Sequence, residues 1–282
     1  MSAIVVEKAD PKQVFLTCTL CPGICLSKCP VYTTIRIRAS APHVIARSGL
    51  RLLRSGKPSE ALSLYLCTGC GGCEAACPVG NPLPEAIRAS RARLRGLRFE
   101  QAKPLYMGGE GAKMLVVSPE RLGNRIIRAL EGLGYSVYWL DSTWYTIAYW
   151  SGLDVKIDTH GFSVVLTEDL DAPIDRSINS LDLIRDKGVT LRGRLDNYIL
   201  HLPCKVKGID DVVDIIGQPK MIIKSCSGAG GGMLYYMERY SVMMANLVGR
   251  REPIPIVTLC RWSQMAFRRA GLKSYTVLDL VA

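Results

Sequence analysis

Four cysteines fall inside the stretch LCTGCGGCEAACPVG, at Cys67, Cys70, Cys73 and Cys77, with Pro78 next. An upstream stretch, CTLCPGICLSKCP, places Cys18, Cys21, Cys25 and Cys29 ahead of Pro30. The spacings are C-x2-C-x2-C-x3-C-P and C-x2-C-x3-C-x3-C-P. Four thiolates saturate a [4Fe–4S] cube, one per iron; a tight loop supplies three and the fourth arrives from elsewhere. Zinc is the competing chemistry, but a zinc ribbon uses two C-x2-C pairs, four ligands in all. Here two sets of four each end in C-P, so the sequence predicts two [4Fe–4S] clusters.

In two-cluster ferredoxins the last cysteine of each run ligates the other cluster. That rule assigns Cys18, Cys21, Cys25 and Cys77 to one cluster, and Cys67, Cys70, Cys73 and Cys29 to the second. Gly69, Gly71 and Gly72 let the backbone wrap a cube and turn amide N–H groups toward sulfur. The elements that carry these loops read as helices. Ala41 to Leu66 forms two short ones broken at SGKP, and PLPEAIRASRARLRG starts another with Pro84 and Glu85 in its first turn.

The segment GKPSEALSLYLCTGCGGCEAACPVGNPLPEAIRASRARLR resembles the helical ferredoxin domain of the heterodisulfide reductases. It is similar also to the iron–sulfur subunits of glycolate, lactate and anaerobic glycerol-3-phosphate dehydrogenases. The resemblance covers about residues 12–100 and implies a mostly α-helical domain at 1–103 that binds both clusters.

From Lys113 onward, β-type runs (KMLVV, YSVYWL, FSVVLT, NYILHL, KMIIK, IPIVTL, YTVLDL) alternate with helical stretches. Alternation of this kind predicts an α/β domain with a mostly parallel sheet, here at 104–282. Residues 101–111 read as the linker. The whole chain is thus expected to be α+β in two domains. Cys204, Cys226 and Cys260 follow three of the strands, where ligands gather in open α/β sheets. Ser118, Ser142 and Thr167 hold the matching places in the first half, which suggests a degenerate internal duplication.

HLPCKVKG, SCSGAGGG and TLCRWSQM resemble the cysteine-rich CCG domain of the heterodisulfide reductases. That family carries five cysteines per repeat for noncubane clusters that cleave a disulfide. This chain retains three in its second repeat, so reduction of a heterodisulfide by the chain itself is not expected. Cys204, Cys226 and Cys260, with His201, Ser227 or water as a fourth ligand, could hold zinc or a third iron–sulfur centre. Three ordinary buried cysteines are the other reading.

The remaining features exclude more than they select. Glycines 228 and 230–232 lack the G-x-G-x-x-G order of a nucleotide fold. The net charge of +11 is offset by about two negative charges per bound cluster, and aromatic residues are not interleaved with it as nucleic-acid binding requires. Arg88, Arg91, Arg93, Arg95 and Arg98 read as a solvated basic face, with docking of an acidic partner as the functional option. His43 and His160 have no evident partner. No secretory leader or membrane-spanning run is visible, and odd, clustered cysteines argue against a disulfide framework. The expected location is the cytoplasm, at most peripheral to the inner membrane face through a partner.

Three function classes follow. The first is an electron-transfer subunit, itself not catalytic, working with a flavin-containing dehydrogenase or a heterodisulfide reductase-like subunit. The second is a thiol, disulfide or quinone reductase acting near Cys204, Cys226 and Cys260. The third, a nucleic-acid binder stapled by iron–sulfur or zinc, ranks last.

Overall fold

The computed structural model describes residues 10–94, 99–189, 195, 197–204, 210–250 and 252–280. The N-terminal part is helical: α1 (Pro11–Leu20), α2 (Pro30–Ile35), α3 (Pro42–Ser55), α4 (Gly72–Ala75) and α5 (Leu83–Arg91), with a 3-10 stretch over Pro58–Leu66. Proline opens α1, α2, α3 and the 3-10 stretch in the first turn, where its missing N–H costs nothing and its φ is already helical. The break at SGKP is real: Gly56 ends α3 in a left-handed conformation (φ 68°) and Pro58 restarts the chain. Apolar stripes on α1, α3 and α5 meet in one core of Val14, Phe15, Ile45, Leu52, Leu64, Leu83 and Ile87. Gly49 sits where α1 crosses α3, and a Cβ there would lie 2.4 Å from the Phe15 ring.

The rest of the chain builds two four-stranded sheets, not one. The first has the order β1 (Leu105–Gly108), β3 (Tyr135–Asp141), β2 (Ala112–Ser118), β4 (Val164–Thr167). The second runs β6 (Met221–Lys224), β5 (Ile199–Leu202), β7 (Ile256–Thr258), β8 (Ser274–Thr276). All pairings are parallel except β1 with β3. Strand β1 lies in the stretch that reads from sequence as a linker, because its four residues are hemmed in by Pro104 and the Gly108-Gly109 pair, which signal a turn or loop. In each sheet the first parallel strand (β2, β5) is central, the next (β3, β6) lies on one side and the third (β4, β7) on the other. An internal repeat would produce this layout.

The inner strands β2 and β5 and their neighbours β4 and β7 are buried on two faces, which turns them into continuous hydrophobic runs. Met114 and Val116 join Leu200, Val257 and residues of α6 (Asn124–Gly132), α8 (Ser180–Lys187) and α9 (Asp210–Ile216) in a core shared by the sheets. Leu115 and Val117 face Tyr145 on α7 (Thr143–Trp150). Ile199, Ile223 and Ile256 pack with residues of α10 (Met233–Tyr236), α11 (Glu238–Gly249) and α12 (Arg261–Arg269). Among the described residues, no helix is long and apolar enough to cross a membrane.

A buried ion pair ties the carboxyl ends of the two sheets together. Arg261 Nε donates to Glu168 Oε2 at 2.9 Å, and its Nη1 reaches Asp279 Oδ1 at 2.9 Å and Gln264 Oε1 at 2.7 Å. Removing one partner of such a pair strands the other charge in the interior, at a cost of about 3–5 kcal/mol. Arg261→Met, which strands both Glu168 and Asp279, is therefore expected to lower unfolding stability by that amount, read from chemical denaturation.

Candidate functional site

Two loops hold the eight N-terminal cysteines. Cys18 lies on α1 and Cys21 ends it; Cys25 rides a 3-10 turn over Ile24–Lys28; Cys29 caps α2 directly before Pro30. In the second loop Cys67 ends the 3-10 stretch, Cys73 sits on α4, and Cys77 opens a turn closed by Gly80 N–H to its carbonyl at 3.1 Å. Gly23 (φ 89°) and Gly69 (φ 67°) occupy the left-handed region. That conformation aims each amide back at the cysteine two residues earlier: Gly23 N–H to Cys21 Sγ and Gly69 N–H to Cys67 Sγ, both at 3.4 Å.

The runs interleave. Cys29 from the first run joins Cys67, Cys70 and Cys73 from the second around one small cavity of about 20 Å³, closed by Thr68, Val31, Ile45, Leu83 and Ile87. Cys77 from the second run is tied electrostatically to the first: with Cys25 and Cys21, it is among the thiols whose charge bears on Cys18. Burial pushes Cys18 and Cys29 up to about 11 and Cys70 up to about 12, and neighbouring thiols add to each rise. Four sulfurs so crowded, in apolar surroundings, need a cationic centre before they can ionise together. The donor set and the glycine cradle are therefore of the kind that a [4Fe–4S] cube takes, and the second cage, at about 20 Å³, must widen to admit one. Among the described residues no three His, Cys, Asp or Glu side chains converge on a single metal ion; a cube takes one thiolate at each of four irons instead.

Asn81 is a site residue that the cysteine pattern did not flag. Its Nδ2 donates to Cys18 Sγ and to Val14 O, both at 3.0 Å. Hydrogen bonds to sulfur raise cluster potentials. The asparagine falls four residues beyond Cys77, and only the fold shows that it turns back to α1.

The arginine run is corrected in part. Arg88 and Arg91 are buried, Arg93 is exposed, and Arg95 and Arg98 lie outside the described residues. Arg88 pairs with Glu85 Oε1 at 2.6 Å and stacks on Tyr149. Arg91, 1% exposed, donates to four carbonyls. Nη2 reaches Leu64 O at 2.6 Å and Cys67 O at 2.7 Å, and Nη1 reaches Gly231 O at 2.6 Å and Trp150 O at 3.2 Å. One guanidinium thus joins the second cysteine loop to both sheet units, a task for which its planar fork is suited.

At the far side of that loop the three remaining cysteines do come together. Cys204, Cys226 and Cys260 line one cavity of about 30 Å³ with Thr68, Asp171, Trp262 and Ser263. His201 is not part of it. Its ring is fully buried within β5, with Nδ1 2.9 Å from Thr258 Oγ1 and Nε2 2.9 Å from Ser225 O. Both nitrogens are engaged and His201 does not line the cavity of the three cysteines, so the structure does not bring the Cys₃His set together. Ser227, the other candidate, hydrogen-bonds Ser263 at 2.9 Å. In the first sheet unit the corresponding strand ends are tied by a buried carboxylate: Asp169 Oδ2 accepts from Ser142 Oγ at 2.5 Å and Thr146 Oγ1 at 2.7 Å.

Burial pushes the His201 imidazole down to about 4, against a weaker opposing pull from the Ser225 carbonyl. The unfolded chain takes up this proton near pH 6.5. Between those values the unfolded state binds more protons, so stability falls as pH drops through the window, by on the order of 3 kcal/mol. Urea titrations from pH 7 to pH 4 should show that slope in the native chain and a flatter profile in His201→Gln.

A family model described as a 4Fe-4S dicluster domain matches residues 15–81, a span that contains all eight clustered cysteines. No curated protein and no solved structure matches the chain. The chain is accordingly an iron–sulfur protein with [4Fe–4S] binding in its helical N-terminal part and an electron-transfer role.

Proposed function

We propose that the chain is the electron-relay subunit of an oxidoreductase complex, carrying two [4Fe–4S] clusters with exchanged fourth ligands. Cys18, Cys21, Cys25 and Cys77 would hold the first, and Cys67, Cys70, Cys73 and Cys29 the second. The cavity shared by Cys29 with Cys67, Cys70 and Cys73 carries this reading. The clusters supply one-electron chemistry when bound. The chain's own part is to bind them, orient sulfur with the Gly23 and Gly69 amides and with Asn81, and exclude water from the second cage with Val31, Ile45 and Ile87. In the sequence resemblance, substrate chemistry sits on a flavin-containing dehydrogenase or a heterodisulfide reductase-like subunit, which is the partner proposed. The α/β part, with its repeated strand order, is read as a degenerate CCG domain that docks on the second cluster through Arg91.

An anaerobic pull-down with this chain as bait tests the proposal. A flavin-bearing subunit is expected to co-purify, and reducing its flavin should bleach the cluster absorbance. Clusters that stay oxidised beside a fully reduced flavin would overturn it.

A further inference from the structure

The Cys204 and Cys226 pair has a geometry that a relay does not need. Strands β5 and β6 pair in parallel with Leu202 opposite Lys224. Cys204 and Cys226 each lie two residues past those partners, and so end adjacent strands abreast of each other. Neighbouring strands run about 4.8 Å apart, within the roughly 4.4–6.8 Å Cα separation of a disulfide. Both line one cavity, and a hydrogen bond between the two side chains keeps the proton on Cys204 and favours the thiolate at Cys226. Gly228 N–H donates to the same sulfur at 3.4 Å, and Thr68 Oγ1 lies 3.5 Å from it. Gly228 has φ 83°, so Cys226-Ser-Gly repeats the cysteine-to-glycine turn seen at Cys21 and Cys67. Access is unequal, for Cys204 is exposed while Cys226 and Cys260 are buried.

We propose that Cys204 and Cys226 are a redox-active dithiol that exchanges with an external disulfide, Cys204 attacking and Cys226 resolving. Cys204 passes its proton to the Cys226 sulfur and attacks one sulfur of RSSR; the RS–SR bond breaks, and the departing sulfur takes that proton back from Cys226, which is left as thiolate. The Cys226 thiolate then attacks the Cys204 sulfur, forming the protein disulfide and expelling the second group as RS⁻. The pair loses two electrons and RSSR gains them. The cavity behind the pair, about 30 Å³, has room for a water and not for a substrate, so only Cys204 can meet one.

The pair also has a neighbour it can inform. Thr68 lines both its cavity and the cage of Cys29, Cys67, Cys70 and Cys73. The Cys226 charge bears on Cys29, Cys67 and Cys70. Closing the disulfide removes that charge, which makes a cluster in the cage easier to reduce. This consequence rests on the two-cluster reading; the thiol chemistry does not.

Full-length protein is equilibrated with glutathione buffers of graded oxidation, quenched with an alkylating agent and mapped by peptide mass spectrometry. Cys204 and Cys226 should lose alkylation together and reappear as one linked peptide pair, with Cys260 alkylated throughout after denaturation. Cys226→Ser should trap a glutathione adduct on Cys204, and Cys204→Ser should leave Cys226 free at every poise. Midpoint potentials from EPR-monitored titration should rise for one cluster when the disulfide is closed. Reduced Cys204 and Cys226 under the most oxidising buffer, or equal scrambling with Cys260, would overturn the proposal. Iron and sulfide counts on the same samples report separately on the clusters, so a linked pair in iron-free protein would refute the relay and leave the dithiol standing.

Discussion

Cys29→Ala is expected to remove the second cluster, although Cys29 belongs to the first cysteine run. Iron should fall from about eight to about four per chain. In the variant, Cys67, Cys70 and Cys73 become open to alkylation, while Cys18, Cys21, Cys25 and Cys77 remain protected. Cys77→Ala should give the mirror image, exposing Cys18, Cys21 and Cys25. The expectation follows from the cage that Cys29 shares with the second loop and from the charge that Cys77 exerts on Cys18 and Cys25. Alkylation of Cys18, Cys21 and Cys25 in Cys29→Ala, with the second loop still protected, would mean that each run fills its own cluster.

The second large effect belongs to Arg91. Replacing it with Met leaves the carbonyls of Leu64, Cys67, Trp150 and Gly231 without this donor. Hydrogen bonds to a charged group are each worth about 1.5–3 kcal/mol. Because these four converge on one side chain they do not add independently, and a loss on the order of 4 kcal/mol is expected in Arg91→Met. Lysine keeps the charge but cannot span four acceptors in a plane, so Arg91→Lys should recover only part of it. Denaturant unfolding of the holoprotein measures both. The lysine variant should also cleave faster between the helical part and β1 under limited proteolysis, since the guanidinium bridges those units. An Arg91→Lys protein equal to the native chain in both assays would show that charge alone suffices there.

Cysteine spacing made the cluster chemistry legible because ligation needs particular sulfurs at particular separations, and the C-P endings mark where a helix or turn must start. The parallel strands were legible for a related reason: sheets buried on both faces produce runs such as KMLVV that no exposed element resembles. What the sequence hid depends on chain reversal. Nothing near Arg91 distinguishes it from Arg93, yet one is enclosed by four carbonyls and the other is exposed. His201, one residue before the end of β5, has the position of a ligand for the cavity; its ring instead lies among Thr258, Ser225 and Phe267. Two sheets replaced one because strand order is set by packing of α6, α8 and α9 between them, which local pattern does not record. Thr68 lies between two cysteine-lined cavities because Gly230 and Gly231 press on its backbone, a contact made across the fold. A Cβ on Gly230 would stand 2.8 Å from Thr68 O, and one on Gly231 2.6 Å from Thr68 C.

The most direct test of the account is metal analysis and EPR on anaerobically purified, dithionite-reduced full-length protein. The account predicts about eight irons and about eight sulfides per chain, with two S = 1/2 signals broadened by mutual coupling. Two zinc ions without iron, or a single uncoupled cluster, would contradict it.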